Sequence, residues 1–217
     1  MSAAHQPSVP PTRCWPLGGE SVRINTALRY DDYSSRARFG CKGPQAEAWL
    51  SDQGFSVPPQ PNTAAVDGGG VLVARLAMTE FLIEEVDGGT ERVARAATQI
   101  PMAAPVAGVY AIARQDVVIG IDGTGSGALL RQICSIDFTA LLEHSRVDGG
   151  PVALTSMVGV SVVAWPRRTS NGASLTLWLD PSFGHYFCST LIEVGSGIGG
   201  TFSVPAGYSK EGMVHGA

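Results

Sequence analysis

VVIGIDGTGSGALLRQIC (Val117–Cys134) joins an apolar, strand-like run to a helix-like run through a glycine-rich turn. Gly123, Gly125 and Ala128 satisfy the loose dinucleotide fingerprint, in which glycines let the backbone approach a phosphate at a helix N-terminus. RFGCKGPQAEAWL (Arg38–Leu50) makes the same transition without that pattern. Displacing the chain by 80 residues puts Gly43 on Gly123, Ala48 on Ala128 and Leu50 on Leu130, and the apolar runs of Val71–Val86 on Pro151–Pro166. The shared feature is one glycine between a strand and a helix. A dinucleotide-binding unit should also follow its helix with a parallel apolar strand ending in an acid about 20 positions on. Glu143 has the spacing, but CSIDFTALLE before it is a poor strand, and the next strong elements read as a hairpin. The loop is expected to be a strand-to-helix turn whose extra glycines permit close packing, and the chain an internal duplication.

Duplication and periodicity set the expected fold class: α+β, two pseudo-repeated units of mixed or antiparallel sheet with packed helices. The expected boundaries are a proline-rich extended arm over 1–29, a domain over 30–200 with repeats at about 30–107 and 108–200, and a tail over 201–217. The first unit opens with a strand at Arg38–Lys42. Gly43-Pro44 then start a helix with Ala46, Trp49 and Leu50 on one face, which Gly54 stops. SVPPQPNTAAVDGGG reads as a connection. VLVARLAMTEFLIEEV reads as two strands about Thr79-Glu80, closed by the DGG of Asp87–Gly89, and ERVARAATQI as a helix. In the second unit GVYAIARQDVVIGID is strand-like, ALLRQI helical, and PVALTSMVGVSVVAWP a strand pair about Val158-Gly159. SLTLWLD alternates, with Leu175, Leu177 and Leu179 on one face. Asp180 can N-cap a final helix with Pro181 at its first position. Phe183, Phe187, Leu191 and Val194 form its expected buried stripe, and Gly195 its end.

Composition narrows the function. Of the 217 residues, 44% are hydrophobic and 16% charged, which is the make-up of a folded globular chain. The net charge of −4 and scattered Lys and Arg argue against nucleic-acid binding, which needs clustered cations. No stretch reaches the roughly 18 apolar residues of a membrane span. The N-terminus has no basic region followed by an apolar core, so no secretory signal is expected. Cys14, Cys41, Cys134 and Cys188 form no C-x-x-C pair and no zinc spacing with the histidines, so reduced thiols and a cytoplasmic location are expected.

No G-x-S-x-G, H-E-x-x-H, Walker or kinase-like set is present, and no catalytic or metal-ligating residue emerges. His5 and His215 lie near the chain ends, and His144 reads as solvated. His185, between Gly184 and Tyr186, reads as a surface or interface histidine. Asp31-Asp32 reads as a turn or cap. Arg114-Gln115-Asp116 puts a charged pair inside an apolar stretch; burial would demand partners, and an exposed strand face is the expectation. Trp178 and Asp180 end a strand beside a helix start and read as a cap with an interface tryptophan.

Several stretches, in order, resemble a known family. DDYSSRARFGCKGPQAEAWL (Asp31–Leu50) resembles the opening of the folate-binding domain of the glycine cleavage T-protein, where an Asp, a Ser and a strand lead to a G-P/D-x-A-x-x-x-L helix. VARLAMTEFLIE, GVYAIARQDVVIGIDGTGSGALLRQICSIDF, TSMVGVSVVAW and LWLDPSFGHYFCSTLIEV together resemble the gamma subunit of heterotetrameric sarcosine oxidase and its relatives, a family related to that domain. The resemblance runs from about Tyr30 to Gly200. It implies a T-protein folate-binding-domain-like fold in a non-catalytic, accessory subunit. The complex would be a hetero-oligomeric flavoenzyme that oxidatively demethylates sarcosine or a related N-methyl amine, linked to one-carbon metabolism. FAD, FMN, NAD and tetrahydrofolate would sit in the larger, flavin-containing partner subunits, and none on this chain alone. Asp32, Asp67, Arg114 and Asp116 are the candidates for a cofactor-binding role here, and Trp178, Asp180, Phe183, His185 and Tyr186 for an interface. The sequence departs from T-proteins at AAVDGGGVLVARL, which offers only Asp67 where they carry an acidic pair. Glu84-Glu85 follows the strand where they carry an Asn, and their extra C-terminal domain is not expected. These departures favour a structural role over a stand-alone tetrahydrofolate-binding, aminomethyltransferase-like enzyme.

Overall fold

The computed structural model describes residues 16–17, 21–86, 91–100, 107–146, 148–169 and 172–198. The first part contains β1 (Ser21–Arg23), β2 (Arg29–Asp32), β3 (Arg38–Lys42), α1 (Ala46–Asp52), β4 (Thr63–Val66), β5 (Val71–Ala77), β6 (Glu80–Glu85) and α2 (Arg92–Gln99). The second contains β7 (Tyr110–Ile112), β8 (Val117–Gly123), α3 (Ser126–Ile133), α4 (Phe138–Glu143), β9 (Gly149–Pro151), β10 (Ala153–Met157), β11 (Val160–Thr169), β12 (Gly172–Leu179) and α5 (Gly184–Ser196), with a 3₁₀ turn at Pro181–Phe183. The strands form two six-stranded sheets, β1-β2-β8-β12-β11-β10 and β7-β3-β6-β5-β4-β9. Every pairing between named strands is antiparallel.

Strand alternation explains how the sheets stack. In β5, Val71 and Val73 face one way with Phe81 and Ile83 of β6, onto Ala46 and Leu50 of α1 and Val93 and Ala96 of α2. Leu72, Ala74, Leu76 and Leu82 face the other way, onto Val118 of β8, Trp165 of β11 and Trp178 of β12. Beyond that second sheet, Ile119, Ile121, Leu175, Leu177 and Leu179 meet the apolar faces of α3, α4 and α5. The layers run helix, sheet, sheet, helix. Strands covered on both faces have no solvent side to mark with polar residues, so VLVARLA and VVIGI read as near-continuous apolar runs.

The two units share one plan: a first strand, a helix, then a three-strand meander whose last strand returns beside the first. This describes β3, α1 and β4-β5-β6, and equally β8, α3 and β10-β11-β12. The displacement of 80 residues holds only as far as the first helix. After α4, which has no counterpart among the described residues of the first unit, it becomes 90 for Thr63 and Ala153 and 92 for Arg92 and Gly184. The equation of Val71–Val86 with Pro151–Pro166 is therefore out of step by one strand, since the counterpart of β5 is β11. The units also exchange a strand. β2 precedes β3 but pairs with β8, and β7 precedes β8 but pairs with β3.

Other expectations need correction. The expected connection SVPPQPNTAAVDGGG contains β4, and CSIDFTALLE contains α4, whose N-cap Asp137 accepts a hydrogen bond from the Thr139 N–H. α5 runs through Gly195 to Ser196. A Cβ on Gly195 would stand 2.3 Å from the Tyr30 hydroxyl oxygen, so this glycine is there to let α5 approach β2. Within the expected arm, β1 pairs with β2, and Ile24 and Leu28 are buried in the core. Residues 1–15, the tail over 201–217 and the turn over 87–89 lie outside the described residues. Among the described residues, no helix is long and apolar enough to cross a membrane.

Candidate functional site

The glycine loop is filled by the protein itself. Gly123 has φ +124°, and a Cβ there would lie 2.2 Å from the Ala27 carbonyl oxygen. That same carbonyl accepts from the Gly125 N–H at 2.9 Å. The first unit repeats the arrangement: Gly43 has φ +127°, and the Gln45 N–H donates to the Gly108 carbonyl at 3.0 Å. In each unit the space a phosphate would need holds the chain entering the exchanged strand. The loop is a packing device.

The charged residues of the inter-sheet layer form one network. Arg38 and Glu84 are paired across β3 and β6, and both side chains are fully buried. Arg38 Nε donates to Glu84 Oε2 at 2.8 Å, Nη1 to the Asp116 carbonyl at 2.6 Å and Nη2 to the Tyr33 carbonyl at 2.8 Å. From the opposite sheet Trp178 Nε1 donates to Glu84 Oε2 at 2.7 Å. Arg36 Nη1 stands 3.6 Å from Glu84 Oε1. Burial pushes the Glu84 carboxyl above its ordinary range; Arg38, the Trp178 indole and Arg36 oppose this, and burial prevails.

The candidate residues fall into groups. Asp32 accepts from the Ser34 N–H at 3.0 Å and the Leu17 N–H at 3.2 Å, so both carboxylate oxygens shape backbone. Asp67 accepts from the Gly69 and Val71 N–H groups in the β4–β5 turn and pairs with Arg92 of α2. Arg92 also lies over the Phe55 ring at 4.6 Å, so Asp67 belongs to a structural clamp. Arg114 and Asp116 sit in the crossover from β7 to β8. Their side chains are 13% and 17% exposed, against the expected exposed strand face. The crossover runs from one sheet to the other, and this carries the pair inside. Arg114 Nη2 donates to Glu80 Oε1 at 3.1 Å, and Nη1 stands 3.9 Å from Asp116 Oδ1.

Asp116, Trp178 and Asp180 come together. They line an open cleft of about 510 Å³ with residues of β10 and β11, among them Leu154, Ser156 and Ser161. Trp178 is buried at its back, with its indole N–H spent on Glu84. Asp180 caps the 3₁₀ turn; the Ser182 hydroxyl and N–H donate to it at 2.6 and 2.8 Å and hold it below the usual carboxylate range. Burial pushes Asp116 the other way, above that range, against Arg114 and Arg38. Phe183, expected in the buried stripe, is half exposed because the 3₁₀ turn rotates it off the helix face that Phe187 and Leu191 use. Tyr186 is half exposed, its hydroxyl donating to the Val158 carbonyl at 3.1 Å, and His185 is exposed. Among the described residues, no three of His, Cys, Asp and Glu are grouped to hold a metal ion.

No family model and no curated protein sequence matches the chain. Solved structures do. A chain of the heterotetrameric sarcosine oxidase from Corynebacterium sp. U-96, solved in complex with pyrrole 2-carboxylate, is 19% identical with a TM-score of 0.64, and the match covers 88% of this chain and 99% of that one. The glycine cleavage system aminomethyltransferase T from Bartonella henselae is 12% identical with a TM-score of 0.53, over 78% of this chain. The chain spans only 46% of that protein's length. These likenesses establish the fold: α+β, T-protein folate-binding-domain-like.

Proposed function

We propose that this chain is a non-catalytic, structural subunit of a multisubunit flavin-dependent complex, sarcosine-oxidase-like, that oxidatively demethylates sarcosine or a related N-methyl amine. The observation that carries the reading is the near-complete two-way coverage between this chain and a single chain of the heterotetrameric enzyme. The partly covered T-protein supports the competing reading, a stand-alone tetrahydrofolate-binding aminomethyltransferase, less well. The uses made of Asp32 and Asp67 point the same way, since both carboxylates are spent on backbone and an arginine. In this reading FAD, FMN, NAD and tetrahydrofolate belong to larger subunits, and the assembly works in the cytoplasm.

The test is recovery of the tagged full-length chain from its source organism, with native mass and visible absorption of the eluate. A yellow eluate with larger subunits in stoichiometric amount is the expected result. A colourless monomer overturns it, and saturable tetrahydrofolate binding by that monomer would establish the alternative.

A further inference from the structure

The two sheets do not cover each other completely. Along β10 and β11, Ala153, Met157, Val160 and Val162 are buried under the helices, while Leu154, Ser156 and Ser161 on the opposite face are exposed. This bare strip of the inner face runs into the cleft of Asp116 and Asp180. The cleft is chemically one-sided: among the described residues it is lined by two carboxylates and by no Lys, Arg or His. Asp116 Oδ2 is buried without a hydrogen-bond partner among the described residues. Arg38 is hydrogen-bonded to Glu84 and the Asp116 backbone carbonyl, and Arg114 donates to Glu80 and stands 3.9 Å from Asp116 Oδ1, beyond hydrogen-bond reach. A carboxylate largely withdrawn from water is costly to ionise, and a cation seated in the cleft, where 17% of the Asp116 side chain remains exposed, offsets part of that cost.

We propose that this cleft is the docking site for a lysine or arginine side chain of a partner protein, which pairs with Asp116 while the partner's surface covers the bare strip of β10 and β11. The inference rests on the subunit reading, and the partner is then one of the larger subunits. Two observations select a protein over a free cation. Leu154 on the strip is 53% exposed, and Phe183 and Tyr186, just beyond Asp180 in the chain, are 48% and 53% exposed. An acidic recess for one charged anchor, with exposed aromatic and aliphatic residues nearby, is the anatomy of an interface hot spot.

The experiment compares recovery of the partner on tagged full-length wild type, Asp116→Asn and Leu154→Lys from the source organism, each first shown to melt as a folded chain. Asp116→Asn keeps the shape and removes the charge. Leu154→Lys places a like charge on an exposed position. The expected result is a loss of about tenfold or more in retained partner for Asp116→Asn, a comparable loss for Leu154→Lys, and wild-type capture that weakens as salt rises. Folded variants that retain the flavoprotein at wild-type yield overturn the docking site and leave the subunit reading standing. A stoichiometric partner without flavin, lost on both substitutions, overturns the subunit reading and leaves the docking site. A wild-type chain that emerges alone overturns both.

Discussion

Removing Glu84 tests whether the inter-sheet network is a source of stability or a cost that must remain balanced. In Glu84→Leu the Arg38 guanidinium stays fully buried with two backbone carbonyls as acceptors and without the carboxylate it pairs with, and the Trp178 indole N–H loses its acceptor. Breaking a buried ion pair costs about 3–5 kcal/mol, and an orphaned buried donor about 1–3 kcal/mol. The two share atoms and do not add in full. A net loss of about 4 kcal/mol follows, or about 8–16 °C in Tm for a domain of this size. The raised Glu84 carboxyl says that desolvation outweighs its attractions, so removing both charges should hurt much less than removing one. Arg38→Met with Glu84→Leu is expected to recover most of the loss. Urea unfolding of wild type, both single variants and the double variant measures each term. A Glu84→Leu loss below about 1 kcal/mol, far under the cost of an unpaired buried charge, would refute the reasoning, as would a double variant that loses the sum of the singles.

Two further predictions concern backbone and pH. Gly123→Ala drives a Cβ into the Ala27 carbonyl oxygen, whereas Gly54, at φ +78°, has no atom within 4 Å of its Cβ position. The first substitution is expected to cost about 3 kcal/mol and the second about 1 kcal/mol by denaturant titration, because the second meets only backbone strain; equal losses would dismiss the close-packing account of the loop. Cys41 is fully buried on β3, and burial raises its thiol from 9.0 to about 12. The unfolded thiol ionises first, so this contribution to stability is intact below pH 9.0 and is lost as pH rises towards 12. Buried Tyr30, also raised, adds to the same slope, so the readout is Tm from pH 8 to pH 11 in wild type against Cys41→Ala. Parallel curves would remove Cys41 from the explanation.

The elements legible in the sequence are those with long apolar runs or strong punctuation. β5, β6, β8 and β12 announce themselves through Val, Ile and Leu, and the β10–β11 turn through Val158-Gly159, whose φ values of +45° and +83° are those of a two-residue hairpin loop. β4 is short and carries Thr and small residues between prolines and glycines, so nothing but its partners β5 and β9 makes it a strand. α4 was within reach, for Asp137 is a good cap and Phe138, Leu141 and Leu142 keep helical spacing. The site was half legible. Trp178 and Asp180 are marked by the end of a strand and a cap, and Asp116 by a charge in an apolar stretch. Their convergence depends on which strands neighbour β12. Arg38, Glu84 and Trp178 lie on three strands in two sheets, and nothing local in any of the three segments signals that they meet.

The exchange of β2 and β7 makes the two units depend on each other. A single unit keeps its first strand, its helix and its meander, but the strand that should shield the flank of β3 or β8 is threaded through the other unit. Such a unit alone has a bare flank and a surplus strand, and a second copy of itself supplies what the first lacks and takes what it offers. Within one chain that complementarity becomes a clasp, each unit holding a strand of the other. The two units cannot separate without breaking the pairing of β2 with β8 and of β7 with β3, so the clasp makes their opening a single cooperative event.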